Sequence, residues 1–85
     1  MKTGKEVADI VRKAVVETLR RKEPVEDNQK LGADLGAESI DRIDLTFRLE
    51  ESVGRVLDEK ILFVEPDPTV AELAERLGRM LEEKK

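Results

Sequence analysis

The sequence predicts an all-α fold, a small four-helix bundle of three long helices and a short third one, with a long loop between the first two. Three observations carry this. Apolar residues recur at helical spacing in three separate stretches. The one short run that could be a strand has no visible strand partner. Glycines, prolines and capping residues fall where helices should start and stop. The chain has 85 residues, 39% of them apolar, which suits one domain over 1–85 with one modest core.

The first helix should run from Lys5 to Lys22. Val7, Ile10, Val11, Ala14, Val15 and Leu19 share one face, and Arg20-Arg21-Lys22 place cations at the negative end of the dipole. Residues 23–38 contain Pro24, Asn28, Gly32 and Gly36 and no sustained period, so they form a long ordered loop. Loops of that length are often functional. Leu31 and Leu35 should pin it to the core. The second helix starts near Ser39 and ends at Gly54, a fitting C-terminal cap. Ile40, Ile43, Leu45, Phe47, Leu49 and Val53 cover a wide arc of it, and Asp41, Asp44, Arg48 and Glu51 share the rest. A helix so broadly apolar should touch neighbours on more than one side.

Periodicity cannot decide whether Ile61–Val64 is a strand or a buried helix. Lacking a partner strand, it reads as a short helix from Asp58 to Val64, stopped by Pro66 and Pro68. The fourth helix opens with the capping box Thr69/Glu72, and Val70, Leu73, Ala74, Leu77, Met80 and Leu81 lie on one face. Residues 82–85 should fray.

Composition excludes much. There is no Cys and no His, hence no disulfide, no thiolate nucleophile, no Cys-based metal site and no Ser-His-Asp triad. No catalytic residue and no metal site are expected. The longest apolar run, Ile61–Val64, cannot span a bilayer, and Met1–Lys5 does not open a signal peptide. A soluble, cytoplasmic, monomeric protein without membrane insertion is the expectation. Net charge is −4 and uneven: residues 1–22 carry net +4, and residues 23–38 carry net −4. Phe47 and Phe63 are the only aromatics, so no nucleic-acid footprint is present. The acidic middle should attract basic protein surfaces.

The most informative stretch is Leu31 to Leu45. Gly36-Ala37 leave the Ser39 hydroxyl open at a helix start, where unpaired amides and the dipole favour an anion. Serine is also a preferred N-cap, so a plain capping role stands beside that reading. The hydrolase elbow G-x-S-x-G is absent, and Asp34, Glu38 and Asp41 lack the spacing of a calcium loop.

The run Asp34-Leu35-Gly36-Ala37-Glu38-Ser39-Ile40-Asp41, followed by Ile43-Asp44-Leu45 and Leu49-Glu50-Glu51, resembles the acyl carrier protein family. The likeness covers about residues 5–83 and is strongest over 31–54. It implies that Ser39 is the attachment serine for 4′-phosphopantetheine, transferred from coenzyme A by a separate phosphopantetheinyl transferase using Mg²⁺. The arm's thiol would carry acyl groups as thioesters to acyl-transferring and acyl-modifying enzymes of fatty-acid, lipid or related biosynthesis. Glu38, Asp41, Asp44, Glu50 and Glu51, with Arg48 among them, would dock onto basic patches of those enzymes. Ile43, Phe47, Leu49 and Ile61 would line an acyl site. A polyketide or peptidyl-type carrier, and a helical interaction module without a prosthetic group, remain alternatives.

The chain departs from the family pattern in three places. Glu38 and Ile40 replace the usual Asp and Leu around the serine. Arg42 and Arg48 interrupt the acidic helix. The 55–68 segment is longer than expected, with Leu57 where a proline is common. These departures point to a carrier dedicated to a specialised pathway.

Overall fold

The computed structural model describes residues 4–63 and 67–82. Four helices follow in order: α1 Gly4–Leu19, α2 Ser39–Val53, α3 Glu59–Leu62 and α4 Val70–Glu82. They pack as a closed circuit in which α1 touches α2 and α4, and α3 bridges α2 and α4. Among the described residues there is no strand, only an isolated antiparallel bridge between Lys30 and Thr69.

α1 ends at Leu19, three residues short of the expected Lys22. Arg20 turns left-handed at φ 56. The Arg20 N–H then donates to the Glu17 carbonyl at 3.3 Å, and the Arg21 N–H donates to the Val16 carbonyl at 3.0 Å. This pair of bonds satisfies the last carbonyls of a helix. Arg21 and Lys22 therefore lie beyond the helix. Glycine usually fills such a position, so the arginine concealed the stop.

The core draws Val7, Val11, Ala14 and Val15 from α1, Leu45 and Leu49 from α2, Leu62 from α3, and Val70, Leu73 and Leu77 from α4. Connecting segments add Val25, Leu31 and Leu57. Leu31 is fully buried and Leu35 half-buried, so both pin the loop as expected. Val25 is a third anchor. The Arg12 guanidinium adds a clasp outside the core, pairing with Asp9 on its own helix and with Asp27 of the loop.

The wide apolar arc of α2 is only partly used. Leu45, Thr46 and Leu49 are buried, and the Thr46 hydroxyl donates to the Arg42 carbonyl at 2.9 Å, which makes its burial tolerable. Ile40, Ile43 and Phe47 stay 70%, 58% and 57% exposed. α2 does touch two neighbours, α1 and α3, but packing covers one side of its arc and leaves the other to solvent. Gly54, at φ 75, caps its end as expected and donates to the Glu50 carbonyl at 2.8 Å.

α3 is shorter than expected. Asp58 caps its start by accepting the Lys60 N–H at 2.9 Å, and Phe63 closes it on the Glu59 carbonyl. Val64, where the helix was expected to end, and Pro66 lie outside the described residues. Only Leu62 of α3 is buried, with Ile61 half-exposed, so the segment is a single helical turn. α4 opens on the expected box: the Thr69 N–H donates to Glu72 Oε1 at 2.9 Å, and the Glu72 N–H donates to Thr69 Oγ1 at 3.1 Å.

Candidate functional site

The site is built where the long loop turns into α2. The loop's last residues are stitched to the segment before α4. The Leu31 N–H donates to the Pro68 carbonyl at 3.1 Å, and the Val70 N–H donates to the Gln29 carbonyl at 3.0 Å. Between them the Asp67 carboxylate accepts the Gly32 N–H at 2.6 Å and the Ala33 N–H at 2.9 Å. The Gly32 amide holds the Asp67 carboxyl below the usual carboxylate range, with the Ala33 amide and the charges of Arg42 and Lys30 assisting against burial. A Cβ at Gly32 would stand 3.0 Å from Asp67 Oδ1, tighter than ordinary contact, so a side chain there would press on the carboxylate. A tight turn follows, with Gly36 N–H on the Gly32 carbonyl at 3.0 Å and Ala37 N–H on the Leu31 carbonyl at 2.8 Å.

This anchored turn delivers Ser39 as the first residue of α2, not as its cap. The cap is Glu38, in extended conformation. Glu38 and Asp41 form a reciprocal capping box in which the Glu38 N–H donates to Asp41 Oδ2 at 2.9 Å. The expected alternative, a serine spent on capping, is thereby corrected: an acid at 38 and another at 41 do that work. Among the described residues the Ser39 hydroxyl has no hydrogen-bond partner, and Ser39 is exposed. Gly36 upstream, at φ 78, faces open space. The first amides of α2 have no acceptor within the helix and lie at its positive end. An exposed, uncommitted hydroxyl beside them, approached over small residues, fits a bulky anionic ester. The chain's other serine, Ser52, sits in the last turn of α2.

The acids expected to dock partners divide into committed and free groups. Glu50 is half-buried, and its Oε2 accepts the Leu57 N–H at 2.9 Å, so it braces the chain after α2. Asp41 serves the capping box. Asp44 meets Arg48 at 3.3 Å, and Arg48 also reaches Glu17 on α1 at 3.6 Å. Glu38 is exposed, with both its backbone N–H and its side chain engaged in the box, and Glu51 is exposed. Arg42 lies over the Phe63 ring, 5.6 Å from its centroid.

The residues expected to line an acyl site are not all brought together. Ile43 and Phe47 line an open groove of about 940 Å³ between the end of α1, the loop and α2, together with Leu19, Leu35 and Ile40. Leu49 is fully buried in the core, and Ile61 lies on α3 outside this groove. Helical geometry explains the split: Leu49 is two residues past Phe47 and faces the opposite side. Among the described residues no cluster could hold a metal ion, and no helix is long and apolar enough to cross a membrane. Asp67 was missed by sequence reasoning. It lies in the Pro-flanked segment whose structure the pattern left open, and only the glycine it touches hinted at a close approach.

Comparison with known proteins gives a consistent picture. The phosphopantetheine attachment site family matches residues 9–77. No curated protein matches the chain significantly. Among solved structures, the fold is similar to that of BlmI, a type-II acyl carrier protein from Streptomyces verticillus involved in bleomycin biosynthesis. The TM-score is 0.79 and the identity 28%, covering 92% of this chain and 89% of that one.

Proposed function

We propose that Ser39 bears the prosthetic arm, from the premise that this chain belongs to the phosphopantetheine attachment site family and is an acyl carrier. The observation that carries the assignment is the free, exposed Ser39 hydroxyl at the first position of α2, with capping delegated to Glu38 and Asp41. The arm supplies the thiol that a chain without cysteine lacks. The protein supplies position. The Asp67 clamp fixes the turn, the turn fixes Ser39, and the positive end of α2 favours the phosphodiester. The chain presents its cargo to other proteins and contributes no catalytic group of its own.

We propose further that residues 1–85 act as a single carrier domain in a specialised pathway. The interrupted acidic face of α2, where Arg48 ties Asp44 to Glu17, supports this, and BlmI is itself involved in bleomycin biosynthesis. Its partners are a phosphopantetheinyl transferase and acyl-handling enzymes. Of the acids expected to meet them, Glu51 is the most available, whereas Glu38 is engaged in the capping box and Glu50 is occupied within the fold. Charge complementarity at such a rim speeds encounter without tight binding, which suits a protein that visits several enzymes and leaves each.

Intact mass after incubation with coenzyme A, Mg²⁺ and a transferase tests the attachment point. Wild type should gain one phosphopantetheine, and Ser39→Ala should gain none. Charging by a malonyl transferase of fatty-acid synthesis, compared with an ordinary fatty-acid carrier, tests the pathway. Equal turnover would refute the specialised reading.

A further inference from the structure

Arg20 occupies a position that its residue type disfavours. Its backbone is left-handed, at φ 56, where glycine is at ease and an L side chain is strained. Most other described arginines have acceptors: Arg12 on Asp9 and Asp27, Arg48 on Asp44 and Glu17, Arg55 on the Leu81 carbonyl, and Arg79 on Glu75, while Arg21, whose buried Nε has no partner, does not line the groove between α1, the loop and α2. Arg76 donates to the Leu62 carbonyl, and Arg42 covers Phe63. Among the described residues the Arg20 guanidinium has none. The negative end of the α1 dipole accounts for a cation nearby. It does not account for a side chain at the one position of the turn that favours glycine.

Arg20 stands on the wall of the groove lined by Leu19, Leu35, Ile40, Ile43 and Phe47. That groove opens beside Ser39, since Gly36 and Ile40 line it and flank the serine in the chain. The other charges on its wall are already matched: Arg48 with Asp44, and Asp41 with the Glu38 amide. Among the described charges on this wall, Arg20 is the uncompensated one. The buried Thr18 hydroxyl, on the same wall, also lacks a hydrogen-bond partner.

We infer that this groove receives the acyl cargo borne on the arm, and that Arg20 favours a cargo whose far end carries a carboxylate. The apolar wall accepts the methylenes, and the guanidinium pairs with the terminal anion. The inference rests on the carrier reading with Ser39 as attachment point.

The experiment loads the full chain with hexanoyl- or adipoyl-phosphopantetheine from the matching coenzyme A thioesters, using a permissive transferase, and confirms loading by intact mass. The readouts are the rate of thioester cleavage by hydroxylamine and the methyl and aromatic NMR shifts of Leu19, Ile43 and Phe47. On wild type the adipoyl thioester should be cleaved about two- to five-fold more slowly than the hexanoyl one, the range an exposed ion pair supports. The three groove residues should shift more in the adipoyl form. Arg20→Gly should abolish the difference, and Arg20→Lys should retain part of it. The glycine variant suits the backbone, so misfolding does not confound it. Equal rates for both cargoes on wild type, or a difference that survives in Arg20→Gly, overturns the inference. So do groove shifts that appear only when a partner enzyme is added, whatever the cargo. Failure of either cargo to load counts against the attachment reading instead.

Discussion

Replacing Asp67 by Asn keeps the side chain's size and removes the charge that two loop amides share. Hydrogen bonds to a charged group contribute about 1.5–3 kcal/mol each when sheltered. Asp67 is only half-buried, so the pair is discounted to about 1–2 kcal/mol in total. For a domain of this size that is a fall in Tm of about 4–16 °C, measurable by circular dichroism. The pH dependence is the sharper signature. The folded-state pKa of Asp67 is depressed, chiefly by the Gly32 amide. Its contribution is therefore fully present above the unfolded-state pKa, near ~4, and is lost as pH falls through the lower folded-state value. The gap in stability between wild type and Asp67→Asn should be widest at neutral pH and should close below pH ~4. A gap that keeps its neutral-pH size through that window, or a variant as stable as wild type at pH 7, would refute the assignment of a charged clamp.

Arg20→Gly should stabilise the fold by about 0.5–1 kcal/mol, because relief of the left-handed strain exceeds the added freedom of the unfolded chain; a lower denaturant midpoint contradicts this. Glu50→Ala should cost about 1 kcal/mol by orphaning the Leu57 amide, whereas Glu51→Ala should stay within ~0.5 kcal/mol. In acyl-transfer assays the order should reverse, with Glu51→Ala showing the larger loss of transfer per folded molecule. Raising salt from low ionic strength should raise Tm, since a net charge of −4 repels itself around the loop and α2; a flat response argues against this.

The helices were legible because their signals are local. The 3.6-residue period marked α1 and α4, Thr69 and Glu72 marked a start, and Gly54 marked a stop. The end of α1 was not legible, because Arg20 adopts a conformation that sequence statistics assign to glycine. The wide arc of α2 read correctly as touching two neighbours, but no local pattern shows how much of an apolar arc tertiary packing leaves bare. Ile43 and Phe47 therefore share the groove, and Leu49 does not. Position alone leaves Ser39 readable as a plain cap, and the family resemblance is what singles it out; its release from capping depends on Glu38 and Asp41 acting together. Glu50 and Asp67 were the least legible. Each is defined by the backbone amides it meets, seven residues away for Glu50 and more than thirty for Asp67.

The central claim is that one hydroxyl, Ser39 Oγ, takes the arm. Intact mass with peptide mapping on wild type, Ser39→Ala and Ser52→Ala, each treated with coenzyme A, Mg²⁺ and a transferase, tests it most directly. The account predicts one phosphopantetheine on wild type and on Ser52→Ala, mapped to the peptide containing Ser39, and an unchanged mass for Ser39→Ala. A phosphopantetheine on Ser39→Ala, or its loss from Ser52→Ala, would contradict it.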